Sequence, residues 1–153
     1  METYHAEARK GNPQACCFLG KAYEEGLLLS KDLTEAKNYY TLAMKGKDNY
    51  AHYRYALCLI KGKFSSQGQN KKDIEEGFNI LNQIANSSNP SPEALTELGE
   101  IYEFGHFHGD IQKMFTVKPD VNKAVLLYKK ARSYKLPRAS NNLAVLFLNA
   151  KLN

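Results

Sequence analysis

Apolar and small residues recur along this chain at intervals of three and four. Ala15, Leu19, Gly20, Tyr23 and Gly26 return with the same spacing as Ala51, Tyr55, Ala56, Leu59 and Gly62, as Ala94, Leu98, Gly99, Tyr102 and Gly105, and as Ala139, Leu143, Ala144, Phe147 and Ala150. A second set follows each of the first three: Asp32, Ala36, Tyr39, Tyr40 and Ala43; Asp73, Gly77, Ile80, Leu81 and Ile84; Asp120, Ala124, Leu127, Tyr128 and Ala131. Such spacing draws one stripe along an α-helix and is foreign to the two-residue alternation of a strand. Each repeat is predicted to be a pair of helices, and the chain all-α.

Punctuation supports this division. Asp32-x-x-Glu35 and Asp73-x-x-Glu76 have the form of capping boxes at the start of the second helix, and Lys123 leaves the box at Asp120 half formed. Pro13, Pro92 and Pro137 stand just ahead of first helices, where a missing N–H costs nothing. A small residue holds the same place on every first helix (Gly20, Ala56, Gly99, Ala144) and on every second one (Ala36, Gly77, Ala124). Glycine inside a helix costs ~1 kcal/mol against alanine, so Gly20, Gly77 and Gly99 are expected where another helix approaches closely. The stripes divide the single domain 1–153 into a partial repeat 1–14, repeats 15–50, 51–93 and 94–138, and a partial repeat 139–153. The variation in length falls in the connections Gly62–Asp73 and Gly105–Asp120, which are predicted surface loops on one edge.

Ala-x-x-x-Leu-Gly-x-x-Tyr-x-x-Gly, followed by Asp-x-x-x-Ala-x-x-Tyr-Tyr-x-x-Ala-x-x-Gly over Asp32–Gly46, resembles the Sel-one-like repeat (SLR), a relative of the tetratricopeptide repeat. The likeness runs from about His5, which with Ala8 and Gly11 fits the tail of a preceding second helix, to Ala150; the middle repeat departs from it at Leu59, Gly77 and Ile80-Leu81. The resemblance implies a right-handed α/α superhelix, or solenoid, of about three helix-pair repeats with partial repeats at both ends. It also implies a non-catalytic adaptor that binds a partner segment through its concave face as a subunit of a larger complex.

By that resemblance the concave face is expected to carry, opposite the stripe, Cys17, Lys21 and Glu24, then Tyr53, Leu57 and Ile60, then Thr96, Glu100 and Glu103. Tyr53, Leu57 and Ile60 would form its apolar centre, and Tyr53 and Tyr50, being off the stripe, are candidate interface aromatics. Near the C-terminus, Leu143 and Phe147 would pack back, while Val145, Leu146 and Leu148 point elsewhere and form a candidate interface, covered in the working state by another protein or by sequence beyond this chain.

Charge changes the picture at one end. The 153 residues carry a net charge of +5, yet no acid follows Asp120, so the last 33 residues hold +7 and the first 120 hold −2. Lys129, Lys130, Arg132, Lys135 and Arg138 make a basic patch, read first as a solvated face and, as the alternative, as the contact through which the chain joins a ribonucleoprotein or other anionic assembly. No apolar run reaches the ~18 to 20 residues of a membrane span, and the first residues have no signal-peptide core. The three cysteines, with Cys16 and Cys17 adjacent, form no disulfide framework, so an intracellular, soluble and by default cytoplasmic chain is expected. His106-x-His108 with Asp110 lacks the four ligands of structural zinc, and no nucleophile, base or phosphate loop stands in a local signature. No metal, cofactor, small-molecule substrate or enzymatic activity is expected.

Overall fold

The computed structural model describes residues 2–134, 142 and 144–146. The helices with assigned bounds are α1 (Glu2–Arg9), α2 (Pro13–Glu25), α3 (Leu33–Lys45), α4 (Asn49–Ile60), α5 (Lys71–Ala85), α6 (Pro92–Phe104) and α7 (Val121–Arg132), and no strand occurs among the described residues. The all-α helix-pair fold is thus as the stripes require. Two compact units divide the chain, Met1–Ile80 and Leu81–Asn153.

Side-chain caps set the helix starts. Asn12 accepts the N–H of Ala15 ahead of α2, and Ser91 that of Ala94 ahead of α6, with Pro13 and Pro92 one residue inside their helices. Asp48 caps α4 by accepting from Ala51. Asp32 accepts from Thr34 and Glu35, and Asp120 from Lys123, as the repeat pattern predicts. Asp73 is different. It lies in the first turn of α5, and Asn70 is the cap: its Oδ1 accepts the Asp73 N–H at 2.9 Å while its Nδ2 donates to the Asp73 carboxylate at 3.0 Å. The expectation of a cap at Asp73 is therefore corrected, because a better-placed Asn three residues upstream adds a turn to the helix.

The backbone N–H of a capping Asp has its own partner. Asp32 N donates to Tyr23 O at 3.0 Å, and Asp120 N to Tyr102 O at 2.7 Å. Helices α3 and α7 are thereby tied to the repeat tyrosine of the helix before them, although one connection is far longer than the other.

In the first unit α1 packs on α2 as the tail of a preceding second helix would, with Ala8 buried beside Ala15 and Cys16. The Tyr40 ring, fully buried, lies on Gly20: a Cβ there would come within 2.7 Å of Cδ1. Tyr23 and Tyr39 stack at 5.7 Å with His5 edge-on to both. In the second unit Tyr128 is fully buried on Gly99 in the same relation. The middle repeat exchanges the two small residues: Ala56 stands on the first helix and Gly77 on the second, where a Cβ would lie 2.8 Å from Ile60 Cγ1. The close contacts inferred from small residues are present at all three glycines.

The connection after α6 is more than a surface loop, which corrects the expectation drawn from its length. Phe107 and Asp110 are buried, and the Asp110 carboxylate accepts the N–H groups of Met114 and Phe115 at 2.9 and 2.8 Å. A buried carboxylate needs such donors, and the chain folds round it to supply them. After α2, Gly26 closes the helix in the left-handed region and Leu29 turns into the core. Leu28 sits between them at φ 61° with 83% of its surface exposed. A leucine in that region is strained, by roughly 1–2 kcal/mol against a glycine, and its exposure returns nothing to the core. Leu28→Gly should therefore raise stability in urea by about 1 kcal/mol, net of the extra entropy of the unfolded chain; a loss would show that the leucine supports the fold.

Candidate partner-binding face

Most residues expected to line a groove are instead built into the fold. Cys17, Tyr53, Ile60 and Thr96 are buried, and Leu57 is half-buried. Ile60 is taken up by its contact with Gly77, and the Tyr53 ring lies 6.0 Å from that of Tyr50. Tyr53 and Ile60 are thus corrected from groove residues to core residues.

Glu24 is buried as well, and it organises a polar cluster inside the first unit. Its carboxylate accepts from Tyr40 OH at 2.5 Å, Arg54 Nη2 at 2.9 Å and Lys63 Nζ at 2.8 Å. Burial alone would raise its pKa, but hydrogen bonds from Lys63 and Tyr40 and the charges of Arg54 and Lys63 hold it down at about 2. Burial and the hydrogen bond to Glu24 keep the Tyr40 phenol protonated. Glu103, half-buried, repeats the arrangement by accepting from Tyr128 OH at 2.6 Å. At the matching places of the middle repeat stand Ile60 and Leu81, both buried. Acid and tyrosine are thus replaced together, which avoids leaving one buried polar partner alone. Glu100, also buried, pairs with His108 at 3.5 Å and accepts from Asn142 at 3.0 Å.

What remains open on the first-helix side of the first unit is a cleft of about 360 Å³ lined by Gln14, Cys17, Phe18, Lys21, Asp48 and Tyr50. Its walls are mostly apolar. Phe18 is 38% exposed and stacks on Tyr4 at 4.0 Å, and Tyr50 is 37% exposed. Lys21, with no ion pair among the described residues, and Asp48, which caps α4, complete the lining. Burial pushes the Cys17 thiol at the base up to about 12, and it does the same for Cys58, so both stay protonated. On α2 the open residues are Gln14 and Phe18 with half-buried Lys21, so Lys21 lines the cleft as expected while Cys17 is buried at it and Glu24 is buried away from it.

At the other end Lys129, Lys130 and Arg132 are exposed, and Lys130 Nζ donates to Ala85 O at 2.9 Å, completing a carbonyl at the end of α5. Lys135, Arg138, Leu143, Phe147 and Leu148 lie outside the described residues. Val145 is exposed, but Leu146 is half-buried against Ala124 and Tyr128, so it is corrected from an outward-pointing residue to one that closes the second unit. Among the described residues no group of His, Cys, Asp and Glu is arranged to hold a metal ion, and no helix is long and apolar enough to cross a membrane.

Repeated helix pairs, with a glycine of one helix in close contact with the other in each pair, define an α/α solenoid of the SLR type. The sequence matches the Sel1 repeat family over residues 13–48, 49–89 and 92–133, each match starting at or beside a first helix, and the chain belongs to that family. Sel1 repeats are generally protein-interaction scaffolds and typically non-catalytic. No curated protein matches the chain. Among solved structures it is similar to a Sel1 repeat protein from Oxalobacter formigenes, with a TM-score of 0.68 and 21% identity over 94% of this chain and 96% of that one. It is also similar to c5321, a protective antigen of uropathogenic Escherichia coli with an SLR fold, with a TM-score of 0.70 and 16% identity over 95% of this chain. The chain spans 28% of the length of that antigen. At these identities the likeness is one of fold.

Proposed function

We propose that this chain is a non-catalytic scaffold, a subunit of a larger complex, that holds a segment of a partner protein on the first-helix face of its N-terminal repeat. The observation that carries this is the cleft itself: Phe18 and Tyr50, aromatic and one-third exposed, wall an apolar hollow that the chain's own side chains leave open. Exposed aromatics at the edge of such a hollow act as anchors, because they bring large apolar area at small entropic cost. Lys21 and Asp48 at its edges would fix the direction of the bound segment.

The test is affinity isolation from the native source with three baits: the unmodified chain, Phe18→Ala/Tyr50→Ala, and Lys129→Glu/Arg132→Glu. A protein held by the first and third baits and reduced at least ~tenfold on the second supports the reading, since two truncated anchors remove that much affinity or more. A partner lost only with the charge reversal would overturn it in favour of an anionic contact at the basic end, whose binding would also fall steeply with salt.

A further inference from the structure

Leu27 and Leu28 form a rigid apolar prong. Gly26 and Leu27 both donate to Ala22 O, Leu27 at 2.9 Å, and the loop is closed at its neck by Asp32 N to Tyr23 O. Between these ties the two leucines stand in solvent, Leu27 52% and Leu28 83% exposed, with Leu28 in a backbone region that a leucine rarely adopts. Strain held in place by surrounding hydrogen bonds, on a side chain that gives nothing to the core, points to a contact outside the unit.

The same unit carries the counterpart. The cleft of Cys17, Phe18 and Tyr50 is apolar, open and of a size to take the two leucines. The charges are also compatible: Lys31 beside the prong can face Asp48 at the cleft, and Glu25, which pairs with Arg54 at 3.0 Å but keeps 34% of its side chain exposed, can face Lys21. We infer that the prong of one copy seats in the cleft of a second copy, giving a head-to-tail contact between copies of this chain. This rests on the reading of the cleft as a binding face. Prong and cleft are different surfaces, so the contact is heterologous and can continue from copy to copy.

Sedimentation velocity over a rising concentration series tests it. The unmodified chain should move from 17.3 kDa towards species larger than a dimer. Leu27→Ser/Leu28→Gly, with its prong removed, and Phe18→Ala/Tyr50→Ala, with its cleft emptied, should each associate at least ~tenfold more weakly. Mixed in equal amounts, the two variants should form a dimer and stop there, because only one working prong and one working cleft remain. Circular dichroism melts establish that both are folded, and Ile111→Lys, at an exposed apolar residue of the connection after α6, should leave association unchanged. A monomer at every concentration, association that survives loss of the leucines, or folded variants that fail to pair in the mixture would each overturn the proposal. Capture of a foreign protein that depends on Phe18 and Tyr50, by a chain that stays at 17.3 kDa, would defeat this inference alone and leave the scaffold reading standing.

Discussion

Gly99→Leu should cost this protein about 3 kcal/mol or more, at the upper end of what overpacking usually does. The Cβ of any residue at this position would come within 2.6 Å of Tyr128 Cδ1 and closer still to Cε1. The ring is fully buried, and its hydroxyl is held by Glu103, so it has no free direction in which to swing. Replacing a mid-helix glycine gains up to ~1 kcal/mol of helix propensity, which this clash exceeds. Gly99→Ala separates the two effects: propensity favours it, the ring opposes it, and a net loss of about 1 kcal/mol is expected in a urea melt. Stability equal to that of the unmodified chain in both variants would mean that helices α6 and α7 do not touch here.

The second large effect belongs to Glu24→Ile. It leaves the buried Tyr40 hydroxyl without an acceptor, Lys63 without its counter-charge and Arg54 with Glu25 as its one remaining acid. Breaking a buried pair from one side costs ~3–5 kcal/mol; Arg54 and Lys63 keep partial access to water, so about 3 kcal/mol is the expected loss. The middle repeat supplies the remedy, since it combines Ala56, Ile60 and Leu81 at the places of Gly20, Glu24 and Tyr40. Gly20→Ala/Glu24→Ile/Tyr40→Leu should recover more than half of that loss, and failure to recover any would show that the polar cluster is not exchangeable for an apolar one. The same acid sets a pH dependence. Its pKa is depressed in the fold from an ordinary 4.5 to about 2, so its contribution is complete above pH 4.5 and is lost as the pH falls through about 2. That portion of the acid sensitivity should be missing from the Ile variant.

The helices, most of their caps and the close contacts at glycine were legible in the sequence because each depends on one or two residues at fixed spacing. Asp73 misled because its role depends on Asn70, a competitor outside the repeating set. Tyr53 and Ile60 misled for a different reason. The side opposite an apolar stripe is open only on a helix with one neighbour, and a helix in an array has several. The open edge of α2 consequently keeps Lys21 but takes Phe18 in place of Cys17, and Phe18 repeats nothing and so offered no signal. Glu24 did offer one: Glu24 with Tyr40 and Glu103 with Tyr128 are replaced together by Ile60 and Leu81. The chain is in this sense its own alignment, and residues that change in step between its repeats belong to the same cluster.

The hydrogen bond from the capping Asp to the tyrosine carbonyl closes loops of very different length in the same way, at 3.0 Å after α2 and 2.7 Å after α6. Above such a neck, added residues cost only the slow logarithm of loop length. The neck therefore separates the length of a connection from the placing of its helices: 5 residues lie between Gly26 and Asp32 and 14 between Gly105 and Asp120, yet the same bond closes both. New contact chemistry can be acquired at the rim of a repeat while the helix pair beneath it keeps its shape.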